Sequence, residues 1–215
     1  MKKLVFTLFA VFAFSMVFQN VSAQVSNRQM RKTLKMRPPR EVRKEARDYE
    51  KQGYTVAVGA PTIRRQLVNA WMKEVETGEK GFPKYIVAYG SSVGETQIAA
   101  KLQATEAARL DLAGQITSNV AALIENNIAN SQLNSEEAAS VTKTVAASKN
   151  IIAQELGRIL PLVELYRNIG QNKEAHVRMA YNSDMAMELA KKVIRKSLEE
   201  ETEILQNKLE KLMMF

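Results

Sequence analysis

The clearest pattern in the chain is a short alternating apolar run followed by a long Ala-rich segment. In residues 85–89, Tyr85, Val87 and Tyr89 alternate with Ile86 and Ala88, and the apolar character of both sets predicts a strand covered on both faces. A Gly/Ser turn is predicted at residues 90–94, and Ser92 and Glu95 have capping-box spacing. A helix is therefore predicted from Glu95 to about Ile128.

This long helix has an apolar and a polar side on a helical wheel, which predicts that the apolar side packs on a sheet. The apolar side comprises Ile98, Leu102, Leu112, Ala113, Ile116, Val120 and Leu123. Three alanines fall in the polar half, namely Ala100, Ala104 and Ala107. They are interpreted either as strong helix formers or as small residues that let a second helix approach closely.

Arg109 lies on the apolar side of this helix, although arginine is rarely buried without a partner. Glu106 is three residues earlier and can pair with it on the helix surface. The pair is interpreted as a structural ion pair. The alternative is that Arg109 faces an anionic ligand in a pocket between the sheet and the 95–128 helix.

Other helices are predicted from the same period of 3.6 residues and from capping residues. One begins after Pro38-Pro39 and ends at Gly53, and others run from Ile63 to Val75, from about Asn134 to Lys149, and from Asp184 to about Met214. Leucines at 198, 205 and 212 are spaced by seven, so the last helix is a candidate for self-association into a homo-oligomer.

Further strands are predicted where apolar residues alternate with polar ones. A short strand is expected at Tyr54–Val58, and a hairpin is expected from residues 159–166 and 174–181. Pro161 places its strand at a sheet edge or on a bulge, because proline cannot donate to the ladder. His176 is expected on the wetter face of its strand, as an exposed residue.

The composition excludes several classes of chemistry. The 215 residues include no cysteine and one histidine, so a disulfide framework, a thiolate zinc site and a cysteine nucleophile are absent. A single histidine also argues against zinc-hydrolase and Ser-His-Asp chemistry. No catalytic, metal-binding or cofactor-binding residue is assigned, and the protein is predicted not to be an enzyme.

The first residues have the three parts of a secretory signal peptide. Two lysines follow Met1, residues 4–18 are almost wholly apolar, and Val21-Ser22-Ala23 offers small residues before a cleavage point. The protein is therefore expected to be exported, to the periplasm or in association with the outer membrane. No transmembrane segment is expected after cleavage, and no cysteine is present to carry a lipid.

Basic residues are concentrated directly after this segment. Residues 24–47 carry a net charge of +7, whereas the chain after Arg47 has 20 basic and 21 acidic residues. The nine cations are Arg28, Arg31, Lys32, Lys35, Arg37, Arg40, Arg43, Lys44 and Arg47. They form either a solvated arm or a contact with lipid head groups, an envelope polysaccharide or an acidic partner. Nucleic acid is not expected as a partner of an exported chain.

The central stretch resembles a known family of envelope proteins. Its strand ends in Gly-Ser-x-x-Gly, and the helix that follows carries Ala99-Ala100, Ala104, Ala107-Ala108-Arg109 and Leu112-Ala113. This arrangement resembles the Lpp-twenty family of twenty-kilodalton outer-membrane lipoproteins over about residues 54–195. The resemblance implies a small non-enzymatic envelope domain with a helix pair on an antiparallel sheet. The lipid-bearing cysteine of that family is missing here.

Together, these patterns predict an α+β fold with a small antiparallel or mixed sheet and a long Ala-rich helix pair. The expected organisation is a signal peptide (1–23), a basic arm and helix (24–52), an envelope domain (53–195) and a helical extension (196–215). The expected function is a structural or interaction protein of the cell envelope. A ligand-binding module is the alternative.

Overall fold

The computed structural model describes residues 39–79, 81–128 and 135–198. Within these ranges the chain forms six helices and three strands, so the predicted α+β class is confirmed. The helices are α1 (Arg40–Lys51), α2 (Ile63–Glu74), α3 (Gln97–Ile128), α4 (Ser135–Ala147), α5 (Lys149–Glu155) and α6 (Ser183–Leu198). The strands are β1 (Tyr85–Gly94), β2 (Leu160–Ile169) and β3 (Asn172–Asn182).

The three strands form one antiparallel sheet in the order β1-β3-β2. Strands β2 and β3 are joined by the tight hairpin that the sequence predicts, and Gly170 takes the positive φ of 58° that its turn requires. The prediction for Pro161 is confirmed twice, because β2 is an edge strand and its register shifts between Pro161 and Val163. Strand β3 is therefore central, with both faces available for packing.

Helix α3 covers one face of the sheet, but with a different side from the predicted one. Ala100, Ala104 and Ala108 are fully buried against this face. Ile98 and Leu102, which were expected to be buried, are 73% and 62% exposed. The wheel prediction is therefore wrong for the first half of α3.

The reason is a close approach of backbone to backbone at Gly90. A Cβ atom placed there would lie 2.0 Å from the carbonyl oxygen of Ala104 and 2.7 Å from the amide nitrogen of Ala108. Only glycine on the strand and alanine on the helix allow this separation, whereas leucine side chains would hold the helix away. We call this side of the sheet the alanine face.

The second half of α3 follows the prediction. Leu112, Ile116 and Val120 are buried in a core that α4, α5 and α6 complete. The other buried members of this core include Val145 from α4, Ile152 from α5 and Ile194 from α6. The apolar stripe of α3 is thus covered by helices and by sheet residues such as Ala88 and Tyr181.

The predicted Gly/Ser turn at residues 90–94 is instead the second half of β1, and the capping box is wrong. Ser92 donates its hydroxyl to the side-chain oxygen of Gln103 at 2.7 Å. The cap is Thr96, whose hydroxyl oxygen accepts from the Ala99 amide at 3.1 Å. The glycines of this segment meet the helix closely, which is why a turn composition occurs within a strand.

The predicted strand at Tyr54–Val58 is reduced to one residue pair. Thr55 exchanges two backbone hydrogen bonds with Tyr166 on β2, at 2.7 and 2.9 Å. The chain then leaves the sheet edge and returns to begin α2 at Ile63.

Helices α1 and α2 cover the opposite face of the sheet. Val42 and Ala46 of α1 are buried in one cluster with Leu67 of α2 and Leu165 of β2. Helix α1 begins directly after Pro39, as predicted. Gly53, at a φ of 81°, follows its end. The helical part of the basic segment therefore contributes to the core.

Side chains occupy the outer edges of both edge strands. On β1, Asp111 accepts from the Tyr89 amide at 3.2 Å, and Gln115 donates to the Val87 carbonyl at 3.0 Å. On β2, Gln66 accepts from the Glu164 amide at 2.7 Å, beside the Thr55 pairing. The ladder groups at these positions are thus satisfied without a further strand.

The helix predicted from about Asn134 to Lys149 is confirmed by α4, whereas α5, which begins at Lys149, was not predicted. Asn182 caps α6 by accepting from the Met185 amide at 3.0 Å. The leucine heptads after residue 198 lie outside the described residues. Among the helices within the described ranges, none combines the length and the apolar character that crossing a bilayer requires.

Candidate interaction surface

Helix α1 carries the described part of the predicted basic segment, and its two sides differ completely. Pro39 precedes its first turn, Val42 and Ala46 are buried, and the cations recur at intervals of three and four residues. Those intervals place the cations on one side of an α-helix, opposite the buried pair. The fold therefore orients the cations toward solvent.

We call the exposed cations of α1 the basic stripe, which consists of Arg40, Lys44, Arg47 and Lys51. All four side chains are exposed. None of them makes an ion pair within the described part of the chain. Arg43 lies beside the stripe, half-buried, and its Nε is buried without a hydrogen-bond partner in those ranges. The stripe thus presents four charges that no ion pair within the described ranges neutralises.

The other five predicted contact residues lie outside the described residues. They are Arg28, Arg31, Lys32, Lys35 and Arg37.

A buried arginine fixes α1 to the sheet beneath it. Arg178, in the central strand, is buried and forms ion pairs with Glu45 of α1 and, at 3.0 Å, with Glu74 of α2. Its guanidinium lies over the ring of Tyr89, 4.7 Å from the centroid. Burial lowers the pKa of Arg178, but Tyr89 and the two glutamates outweigh that effect and raise it.

A second contact between α1 and the sheet involves the single histidine. Nε2 of His176 lies 2.8 Å from the hydroxyl oxygen of Tyr49, and the prediction that His176 is an exposed strand residue is wrong. Burial, together with the nearby charge of Arg178, lowers the pKa of His176 and favours neutral imidazole. The alternation of residues along β3 predicts that this face is exposed to solvent, but helix α1 covers it.

A third contact lies where the chain leaves α1. Tyr54 donates its hydroxyl to Glu174 at 3.0 Å, and Arg167 pairs with the same carboxylate while stacking over the Tyr54 ring. Burial and the carboxylate raise the pKa of Tyr54 to about 12, so the phenol stays neutral. Together with the contacts of Arg178 and His176, these groups define the charged face of the sheet.

The predicted pair of Arg109 and Glu106 is present, in a loose form. The closest nitrogen and oxygen lie 3.9 Å apart. Arg109 also donates to the backbone carbonyl of Leu156 at 3.2 Å, which connects α3 to the end of α5. At the neighbouring Gly90 contact, the sheet and α3 leave no space for a ligand. These contacts favour the structural interpretation of Arg109.

Two features of this surface were not identified from the sequence. The ion pairs of Arg178 connect residues 133 and 104 positions apart, a separation at which no local pattern gives a signal. The apolar loop at 56–61 was interpreted as part of a strand and a turn. Its signal in the sequence is an uninterrupted apolar run, Val-Ala-Val-Gly-Ala-Pro, that ends three residues before two arginines.

A comparison of the chain with protein-family models, with curated proteins and with solved structures returns no match.

Proposed function

We propose that this protein is a non-enzymatic, exported interaction protein of the cell envelope, held at an anionic surface by its basic segment. The basic stripe of α1 is the observation that carries this proposal. Four exposed cations without ion-pair partners in the described ranges lie on a helix whose other side is buried. Because the ordered helix fixes their spacing, less conformational entropy is lost when they meet an anionic surface.

Further support comes from the way α1 is attached. Its anchors are the ion pair of Glu45 with Arg178 and the contact of Tyr49 with His176. These contacts use the side of α1 that faces the sheet, so the cations on the opposite side remain available. The signal-peptide pattern and the resemblance to the Lpp-twenty family remain predictions, and both point to the same compartment.

The alternative, a ligand-binding module with a pocket between the sheet and α3, has less support. Arg109 is engaged by Leu156 and Glu106, and the alanine face is closed at Gly90 by direct backbone contact. No observation on the described residues favours this alternative over the basic stripe.

The test is fractionation of cells that express the complete sequence with a C-terminal tag, followed by a salt wash of the membrane fraction. The proposal expects the protein in the membrane fraction at low salt and its release at high salt, because ions screen charge–charge attraction. A variant with Arg40, Lys44, Arg47 and Lys51 all changed to Gln should bind at least about tenfold more weakly, since each cation near an anionic surface contributes up to about 1 kcal/mol.

A matched control changes four other exposed cations to Gln. Lys143, Lys149, Arg158 and Lys196 lie on α4, α5, the segment before β2, and α6. This variant has the same net charge as the stripe variant, so it separates position from total charge. Equal loss of binding by both variants, or binding that high salt leaves unchanged, would contradict the proposal.

A further inference from the structure

A short apolar loop follows α1 and lies outside the sheet. Residues 56–61 are Val-Ala-Val-Gly-Ala-Pro, without a polar side chain. Val58, at its tip, is fully exposed. Exposed loops of folded domains are normally rich in polar residues, because those residues satisfy turns and face water.

The base of this loop is fixed to the sheet from both sides. Thr55 pairs with the backbone of Tyr166, Val56 packs on the cluster under α1 and α2, and Ala57 packs on the cluster under α3. At the other end, the Gln66 side chain donates to the Pro61 carbonyl at 2.8 Å. The loop is therefore preorganised.

The tip itself is a closed turn. The Ala60 amide donates to the Ala57 carbonyl at 3.0 Å, and Gly59 takes the positive φ of 81° that this turn needs. The turn satisfies backbone groups near the tip and directs Val58 away from the protein. Entry of this tip into a less polar medium is therefore limited to the interfacial region, where the remaining backbone groups of the turn stay in contact with water and lipid head groups.

The charges along the chain on either side of the loop have one sign. From Lys51 to Lys73 the chain contains four basic residues and no acidic residue. Arg64 and Arg65 are exposed in the first turn of α2, directly after the loop, and Lys51 is the end of the basic stripe. An apolar tip with cations beside it fits a surface that is anionic outside and apolar beneath.

We propose that residues 56–65 form a bilayer-docking element, in which Val58 enters the interfacial region of an anionic lipid membrane while Arg64 and Arg65 contact lipid phosphates. This inference rests on the proposed function, since it selects lipid among the anionic surfaces that the basic stripe would fit. A polysaccharide or a soluble polyanion would bind the cations and leave Val58 in water. In a bilayer, burial of the valine also lowers the free energy of binding. This contribution adds to the electrostatic attraction between the cations and the anionic lipids.

The experiment uses the absence of cysteine in the natural sequence. The variant Val58→Cys is expressed as residues 1–215 and purified in the form that results from processing in the cell. It is then labelled with the environment-sensitive fluorophore nitrobenzoxadiazole. The probes are phosphatidylcholine vesicles with and without phosphatidylglycerol, and dextran sulfate as a soluble polyanion. The control is Phe82→Cys, labelled in the same way, because Phe82 is 72% exposed in another loop, where the neighbouring Lys84 is paired with Glu76 at 3.0 Å.

The proposal expects the label at residue 58 to brighten and shift to the blue with phosphatidylglycerol vesicles, and to stay unchanged with dextran sulfate. The label at residue 82 should respond to neither probe. No change at residue 58 with anionic vesicles would overturn the inference. An equal change at both positions, or the same change with dextran sulfate, would overturn it as well.

A second variant distinguishes failure of this inference from failure of the proposed function. Val58→Asp should weaken binding to phosphatidylglycerol vesicles about tenfold, because it removes an apolar contact and adds a repelled charge, and it should barely alter binding to dextran sulfate. If the basic-stripe variant loses vesicle binding while Val58→Asp keeps it, the docking element is wrong and the envelope tether stands. If the unaltered protein binds neither probe, both proposals fail.

Discussion

The two faces of the sheet are covered in opposite ways. On the alanine face, Gly90 meets Ala104 and Ala108 at backbone distance, and shape alone determines the fit. On the charged face, Arg178 connects Glu45 and Glu74, so that ion pairs add to the apolar cluster under α1 and α2 in holding these helices in place. The contact at Gly90 has no space for an added atom, whereas the contact at Arg178 depends on the charges of the arginine and the two glutamates.

This difference indicates how each face should respond to conditions. A packed backbone contact is insensitive to pH and salt, because no titrating group takes part. A face held by an arginine, two carboxylates and an imidazole depends on the protonation state of its members. The basic stripe lies on the charged side of the molecule, so changes on that face should reach the proposed tether first.

The largest effect is expected from filling the alanine face. Gly90→Ala adds a Cβ atom that collides with the backbone of α3, so the free energy of unfolding should fall by about 4 kcal/mol. Urea unfolding measures this change. The control is Gly157→Ala, since no atom lies within 4 Å of a Cβ there, and a shift within about 0.5 kcal/mol is expected. Similar losses in both variants would show that the close contact at Gly90 does not matter.

A smaller loss is expected from removing the buried cation of the charged face. Arg178→Met keeps an unbranched apolar stem and leaves Glu45 and Glu74 without their shared partner, so unfolding should cost about 3 kcal/mol less. The control is Lys192→Met, which breaks the exposed pair with Glu155 at 3.0 Å and should cost about 0.5 kcal/mol. A Lys192 effect as large as that of Arg178 would remove the distinction between buried and surface pairs.

The smallest effect is expected from titration of His176. Its pKa in the folded protein is lowered from the ordinary value of 6.5, so the folded state favours the neutral ring. The corresponding stability is present above pH 6.5 and is lost as the pH falls through the folded-state pKa. The free energy of unfolding should therefore fall more steeply below pH 6.5 in the natural protein than in His176→Gln. Urea titrations across that range compare the two slopes.

The groups that face His176 are the same in both proteins of that comparison. They are Tyr49, Tyr54, Glu174, Glu45 and Arg178. Parallel slopes in the natural protein and the variant would mean that the imidazole contributes nothing to the pH dependence. Gly157→Ala supplies the complementary control, because no atom lies within 4 Å of a Cβ there and the pH dependence should stay unchanged.

Local patterns predicted the helices better than the contacts that the helices make. The period of α3 and the proline and glycine that flank α1 gave their positions to within about two residues. Which side of α3 meets the sheet was wrong, because hydrophobicity favours Ile98 and Leu102, whereas close approach favours Ala100 and Ala104. Burial by close packing depends on what lies opposite, and a single-chain pattern does not contain that information.

The candidate interaction surface was also predictable only in part. The basic stripe was predictable, since its spacing is local and its residues are charged. The ion pairs of Arg178 were not, because they join three separate elements. The alternation of Arg178 and His176 with Val177 and Met179 correctly separated the two faces of β3. This alternation did not reveal that helices α1 and α2 cover the polar face of β3.

The hydrogen bonds at the sheet edges matter when many copies of the protein lie close together. They are made by the side chains of Asp111, Gln115 and Gln66. A protein held at a surface by electrostatics reaches a high local concentration, and open strand edges there would template one copy on another. Here the outward ladder groups of Tyr89, Val87 and Glu164 are already bonded within the chain. Densely gathered copies can thus remain individual folded units instead of joining through their sheets into a growing fibre.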